Sequence, residues 1–201
     1  MAGKQAKILN ANQQQAVLGH LAKATRHPVR NRVIFLLSMK AGLRAKEIAS
    51  LRWRHVCDAE GKLTSEIVIE DKGSKGKSGG RTVPTNKDLF MALADLRHEL
   101  EVSGQGHPQE HPIVKTERNS DGVSSQVIVN LFQQWYQAMG YEGLSSHSGR
   151  RTFITNAAKK ITTVGGSLRD IQQLAGHKSL QTTQRYIEGS TDAKKRIVDI
   201  V

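Results

Sequence analysis

Apolar positions along most of the chain recur at helical spacing. Segment 10–24 is a polar stretch whose Val17, Leu18 and Leu21 fall on one side, which predicts an amphipathic helix. Pro28 suits the first position of a second helix, carried through Val33-Ile34-Phe35-Leu36-Leu37 to Gly42. A short helix over 45–51 follows. The period then changes. Ile67-Val68-Ile69, within 66–70, is a β-rich run, and Arg81-Thr82-Val83-Pro84 reads as its partner across a basic, glycine-rich turn at 72–80. Leu89, Phe90, Leu93, Leu96 and Leu100 return to one helical face. The cleanest stripe is Val127, Ile128, Leu131, Phe132, Trp135, Tyr136 and Met139, ended by Gly140 and Gly143. Phe153, Ile154, Ala157, Ala158 and Ile161 form another stripe. Short helices over 168–175, 179–187 and 192–200 close the chain, separated by Gly176-His177 and Gly189-Ser190. The Gly/Pro/His loop at 103–112 is the one internal boundary the pattern offers. The expected fold is mainly α with one small antiparallel β-sheet, an α+β fold.

Composition narrows the function. A chain of 201 residues fits a single domain. Its 37% apolar residues, with 18 glycines, suffice for a packed core. Thirty Lys and Arg against 18 Asp and Glu leave a formal charge of +12, which points to a polyanionic partner, nucleic acid or an acidic membrane surface. The lone Cys57 rules out an internal disulfide or a cysteine-based zinc cluster. The longest strongly apolar run, 33–37, is far too short to span a bilayer, and 1–7 has no signal-peptide core. The expectation is a soluble, cytoplasmic protein with no membrane partner.

Four short motifs hold residues with chemical potential. Arg44, in Gly42-Leu43-Arg44-Ala45-Lys46-Glu47-Ile48, stands at a loop-to-helix junction, where a guanidinium can grip two phosphate oxygens. Alone it equally fits a solvated helix start. In His147-Ser148-Gly149-Arg150 the i, i+3 spacing aims a titratable ring and a permanent cation into one space, while Ser145 or Ser146 suits a helix cap. His177 follows Gly176 at a turn between two helices, and nine residues on comes Tyr186. Taken singly, a helix-end histidine and a half-buried tyrosine are ordinary. The Gly/Ser/Lys turn is either a solvated hairpin tip or a finger of lysines for a nucleic-acid backbone. It misses the P-loop pattern and runs into strand-like sequence.

Together and in this order, the motifs Ala41-Gly42-Leu43-Arg44-Ala45-Lys46-Glu47-Ile48, Ser146-His147-Ser148-Gly149-Arg150-Arg151-Thr152-Phe153, Leu174-Ala175-Gly176-His177 and Thr183-Gln184-Arg185-Tyr186 resemble the catalytic domain of the tyrosine recombinase (phage integrase) family, over roughly residues 10–190. The resemblance implies a site-specific DNA recombinase. Tyr186 is then the nucleophile toward a DNA phosphodiester, forming a 3′-phosphotyrosyl link and releasing a 5′-hydroxyl. Arg44 and Arg150 hold the non-bridging oxygens. His147 is the base or acid, His177 a hydrogen-bond donor to phosphate, and Glu47 orients Arg44 or its loop. A hairpin lysine protonates the leaving oxygen; family spacing favours Lys75, with Lys72 and Lys77 open. Neither metal nor other cofactor is implied.

The same resemblance implies double-stranded DNA as partner, a nucleoid-associated location and a homo-tetramer on paired sites, with a host architectural protein as a further partner. The chain looks like the short, single-domain members, without an N-terminal core-binding domain. Its tail, 191–201, either exchanges between protomers or folds back on its own core. The rival functions are a non-catalytic DNA-binding or architectural recombination factor and a type IB topoisomerase. The first has no use for all five of Arg44, His147, Arg150, His177 and Tyr186. Nothing like the long extra domains of the second is present.

Overall fold

The computed structural model describes residues 6–70, 80–116 and 122–186. Helix α1 (Ala11–Ala24) starts where Asn10 caps it: the Asn10 side chain accepts the Gln13 N–H, and the Gln13 side chain accepts that of Asn10. Helix α2 (Pro28–Ala41) opens on its proline and is buried on nearly every side, including Asn31 and Ser38. Helix α3 (Ala45–Ser50) and a 3₁₀ turn at Trp53–His55 follow. Strands β1 (Glu66–Ile69) and β2 (Arg81–Pro84) pair antiparallel, with Ile67 opposite Val83 and Ile69 opposite Arg81. Ile67, Ile69 and Val83 are buried while Val68 and Thr82 are exposed, the alternation of a sheet wetted on one face. Asn86 and Ser124 cap α4 (Lys87–Val102) and α5 (Ser125–Ala138) through their side-chain oxygens. Helix α6 (Ser148–Lys160) leads into a 3₁₀ turn at Ile161–Val164, then α7 (Leu168–Ala175) and α8 (Leu180–Gln184).

The chain divides into two compact units, Met1–Phe153 and Ile154–Val201, with α6 running from the first into the second. In the first, α2 packs against α1, α3 and α4, and α5 packs against α1 and α3. Phe132 of α5 is the hub of its aromatic core, with ring centroids 5.2 Å from Trp135, 5.9 Å from Tyr136 and 6.5 Å from Phe35. Each such ring removed from water contributes roughly 1.5–3 kcal/mol. In the second unit, α7 packs on α8 with Ile171, Ala175 and Thr183 buried.

Three sequence expectations shift, and a fourth is not tested. Helix α6 begins at Ser148, upstream of the Phe153 stripe, because polar Ser148–Thr152 continues the same helix and buries Arg150 and Thr152. Helix α8 ends at Gln184, so Arg185 and Tyr186 lie in a turn. The helix expected over 192–200 falls outside the described residues. Loop 103–112 is lashed down: Trp53 N–H donates to His111, Arg54 N–H to Gln109 and Ile113 N–H to Leu51, while the Gln109 side chain donates to Asp58 and Ala59. The break between units falls instead at Phe153. Among the described residues, no helix is long and apolar enough to cross a membrane.

Candidate active site

The α2–α3 connection is a tight, crowded loop. Helix α2 ends at Gly42, which is left-handed (φ 65°) and donates its N–H to Leu37. The Phe153 ring lies over it: a Cβ at position 42 would stand 2.5 Å from Cδ1 of that ring. Conformation and space therefore both demand glycine. The carbonyl of Gly42 accepts a hydrogen bond from Arg150 Nη1 at 2.6 Å, and Arg150 is 4% exposed. A buried guanidinium held this firmly has a fixed direction, which a charge meant to meet an oxyanion needs.

Arg150 reaches Gly42 because α6 crosses α2 at small side chains. Gly149 lies against Ser38, and a Cβ there would stand 2.9 Å from Ser38 Cβ and closer still to Oγ. The start of α6 is tied off locally: the Ser148 hydroxyl accepts the Ser145 N–H at 2.9 Å. His147 sits one residue before the helix and is exposed.

Arg44 is two residues beyond Gly42, at the N-terminus of α3. Glu47 holds it twice, through the Arg44 backbone N–H to Oε2 at 2.7 Å and Nη1 to Oε1 at 3.0 Å. The same carboxylate takes both terminal nitrogens of Arg81, at 2.8 and 3.0 Å. Burial works to raise the Glu47 pKa, but the hydrogen bonds from Arg81 and the Arg44 backbone, with the two guanidinium charges, hold it below the ordinary carboxylate value. Arg81 is a component that motif order does not reveal. A signal for it exists: period-2 alternation places Arg81 on the buried face of β2 with Val83, and an inward-facing charge requires a partner.

In the second unit, Gly176 caps α7 and His177 follows it. His177 is 9% exposed, with Nδ1 2.9 Å from Thr183 Oγ1. The Tyr186 ring stacks on the imidazole, centroids 5.6 Å apart and planes 20° from parallel. The hydrogen bond fixes the ring orientation of His177, and the stack places the phenol beside it.

The structure thus brings Arg44, Glu47 and Arg150 together in the first unit, with His147 one turn before Arg150. It pairs His177 with Tyr186 in the second. Lys75, with its alternatives Lys72 and Lys77, lies outside the described residues.

Residues 7–192 match the model of the phage integrase family. The chain belongs to the phage integrase family. Similar proteins include the tyrosine recombinase XerC of Shewanella amazonensis, 30% identical over 92% of this chain and 58% of that protein. That of Chlamydia trachomatis is 33% identical over 85% of this chain and 50% of its own length. This chain spans about half the length of the curated relatives it matches. Among solved structures, the XerA recombinase superposes with a TM-score of 0.70 at 22% identity, over 94% of this chain and 63% of that one. The XerH site-specific recombinase, bound to difH substrate in a pre-cleavage complex, gives 0.71 at 19% identity, over 100% of this chain and 55% of that one. These likenesses fix the fold as that of recombinase catalytic domains.

Proposed function

We propose that this chain is the catalytic domain of a site-specific DNA recombinase that cleaves and rejoins strands through a covalent 3′-phosphotyrosyl intermediate on Tyr186. The observation that carries the reading is the Tyr186–His177 stack, a phenol set beside an oriented imidazole in a phage integrase chain that also holds Arg150 on the Arg44 loop. The relatives' names, tyrosine recombinase, and the DNA substrate in the XerH complex support it.

In this reading Tyr186 Oη attacks a backbone phosphorus, its proton passing to His147, while the bond from phosphorus to the 5′-oxygen breaks. That oxygen takes a proton from a lysine of segment 72–80, Lys75 or its neighbours Lys72 and Lys77. The covalent link conserves the bond energy, so the reverse attack by a 5′-hydroxyl reseals the strand. A phenol has an ordinary pKa near ~10, so attack at neutral pH requires a base. Arg44 and Arg150 neutralise the charge that builds on the non-bridging oxygens, and His177 donates a further hydrogen bond there. Because both guanidiniums are permanently charged, the phosphate is neutralised without a metal ion. Double-stranded DNA is the partner, with four protomers on paired sites, a host architectural protein in attendance, and the 191–201 tail exchanged between protomers or folded back.

The test is a panel of nicked suicide duplexes bearing inverted repeats, run on denaturing gels. The expected result is a covalent adduct that forms in the presence of chelator and is absent for Tyr186→Phe, with duplex binding unchanged. Binding without an adduct on any duplex would replace this reading with a non-catalytic architectural factor.

A further inference from the structure

Residues 6–9, just ahead of the α1 cap, run as a strap onto the start of α6. The Leu9 N–H donates to Thr152 Oγ1 at 2.9 Å, a bond sealed from solvent between a residue 2% exposed and one 1% exposed. The Ala6 carbonyl accepts from Arg151 Nη1 at 3.0 Å, and the Lys7 N–H donates to the Gly143 carbonyl at 3.0 Å. Gly143 is left-handed (φ 80°), and a Cβ there would stand 2.9 Å from Lys7 Cε, so the strap lies close on the loop before α6. Its other end is fixed as well: the Leu9 carbonyl accepts from the Gln14 side chain at 3.1 Å, and Asn10 caps α1. Extended backbone must find partners for its polar groups, and these find them on α6, its preceding loop and α1 rather than on a sheet.

Thr152 is the joint between strap and helix. Its hydroxyl donates to the Ser148 carbonyl at 2.8 Å, one turn back in α6, and accepts the Leu9 N–H. At about 100° per residue, Arg150 and Thr152 project from opposite sides of the helix. One side meets the α2–α3 connection, where Arg150 Nη1 donates to the Gly42 carbonyl at 2.6 Å; the other meets the strap. The turn that carries Arg150 is thus gripped from both sides. We propose that Thr152 is a positioning residue for Arg150: through its hydroxyl the 6–9 strap holds the first turn of α6 against the α2–α3 connection and fixes the direction of the guanidinium two positions away. When the strap lets go, that turn swings and Arg150 loses its aim while the fold persists. This rests on the reading of Arg150 as a phosphate ligand and adds the residue that aims it.

The experiment uses the full chain and two readouts: solvent exchange of the Arg150 guanidinium protons, followed by NMR, and the adduct rate on a cleavable duplex. Thr152→Val keeps the shape of the side chain and removes its hydroxyl. It is expected to speed exchange of the Leu9 amide and of the Arg150 guanidinium by about tenfold, the factor set by one net hydrogen bond, and to slow adduct formation by about as much. Thr152→Ser, which keeps the hydroxyl, is expected to stay within about threefold of the parent. Arg151→Gln cuts the strap at Ala6 instead and is expected to move both readouts the same way by about threefold, which keeps the test open should Thr152→Val not fold. Leu100→Ala, in the last turn of α4, lowers global stability and is expected to leave Arg150 exchange in the folded chain unchanged. A Thr152→Val chain that behaves like Leu100→Ala overturns the proposal, because the hydroxyl then serves stability alone. So does Thr152→Ser no better than Thr152→Val, or parental Arg150 exchange in Arg151→Gln. If no duplex yields an adduct while the exchange series holds, the recombinase reading falls and the role of Thr152 stands. If Thr152→Val forms adducts at the parental rate, the role of Thr152 falls and the recombinase reading stands.

Discussion

Gly149→Ala tests how the buried arginine is aimed. The added methyl would stand 2.9 Å from Ser38 Cβ and 3.2 Å from Met39 Sδ, and nearer still to Ser38 Oγ. Ser38 is fully buried in α2, in a helix whose other faces are also covered, so it has nowhere to retreat. Overpacking of this kind costs roughly 1–3 kcal/mol. The gain in helix propensity from Gly to Ala offsets at most ~1 kcal/mol. A net loss of about 1–2 kcal/mol is expected, read as a lower urea midpoint at unchanged slope. The larger effect falls on chemistry. Relief of the contact moves the start of α6 away from α2 and lengthens the 2.6 Å bond from Arg150 to the Gly42 carbonyl, so adduct formation should drop by about tenfold or more. Ser38→Gly added to Gly149→Ala removes both opposing atoms. It should restore most of the adduct rate, with the helix-propensity loss at position 38 offset by the gain at position 149. A Gly149→Ala chain with parental midpoint and parental rate would refute the reasoning, because the close crossing would then not be what seats Arg150.

Glu47 and Tyr136 offer independent checks on stability. Because the Glu47 carboxyl is held below its ordinary value in the fold, its contribution is present above the unfolded-state pKa and is lost as pH falls through the folded one. Glu47→Gln should therefore lower the urea midpoint near neutrality and flatten its fall as pH drops below roughly 5; an acid limb as steep as the parent's contradicts this. Tyr136 is buried, and its hydroxyl has no hydrogen-bond partner among the described residues. Burial pushes that phenol well above its ordinary pKa. Tyr136→Phe should be neutral or stabilising by up to ~1 kcal/mol in thermal unfolding, and a loss of more than that would reveal a partner for the hydroxyl.

Most helices were legible because their stripes were wide: the α5 pattern from Val127 to Tyr136 and the α4 leucines mark faces that periodicity alone can find. Turn glycines such as Gly176 were equally local signals. The first turn of α6 escaped periodicity. Its residues are polar, and their partners lie more than a hundred positions upstream: Arg150 donates to the Gly42 carbonyl and Thr152 accepts the Leu9 N–H. Arg44, Glu47, Arg150, His177 and Tyr186 could be picked out through motif order. Their partners could not, since Gly42 offers a carbonyl, Thr183 a hydroxyl and Arg81 a fork across 34 positions of sequence. Backbone acceptors leave no mark in composition, and an ion pair from a strand to a helix terminus becomes visible only when the sheet register is known. Tyr136, a stripe residue, and Tyr186, the tyrosine of the last motif, look alike in one-letter code. Only packing separates the silent phenol from the one beside an imidazole.

The lashed segment at 103–112 bears on how this molecule tolerates change. Its glycines and prolines advertise a permissive joint, the kind of place where an engineer opens new termini or an insertion slips in. Stitched backbone to backbone onto the Trp53 turn, and closed over it by the His107 ring 5.6 Å from the indole, it works as a belt. A nick at its outermost glycines, Gly104 and Gly106, would leave both halves buckled to the same indole, whereas added length between Gln109 and Ile113 would pull the buckle open and loosen the floor on which the Arg44 helix stands.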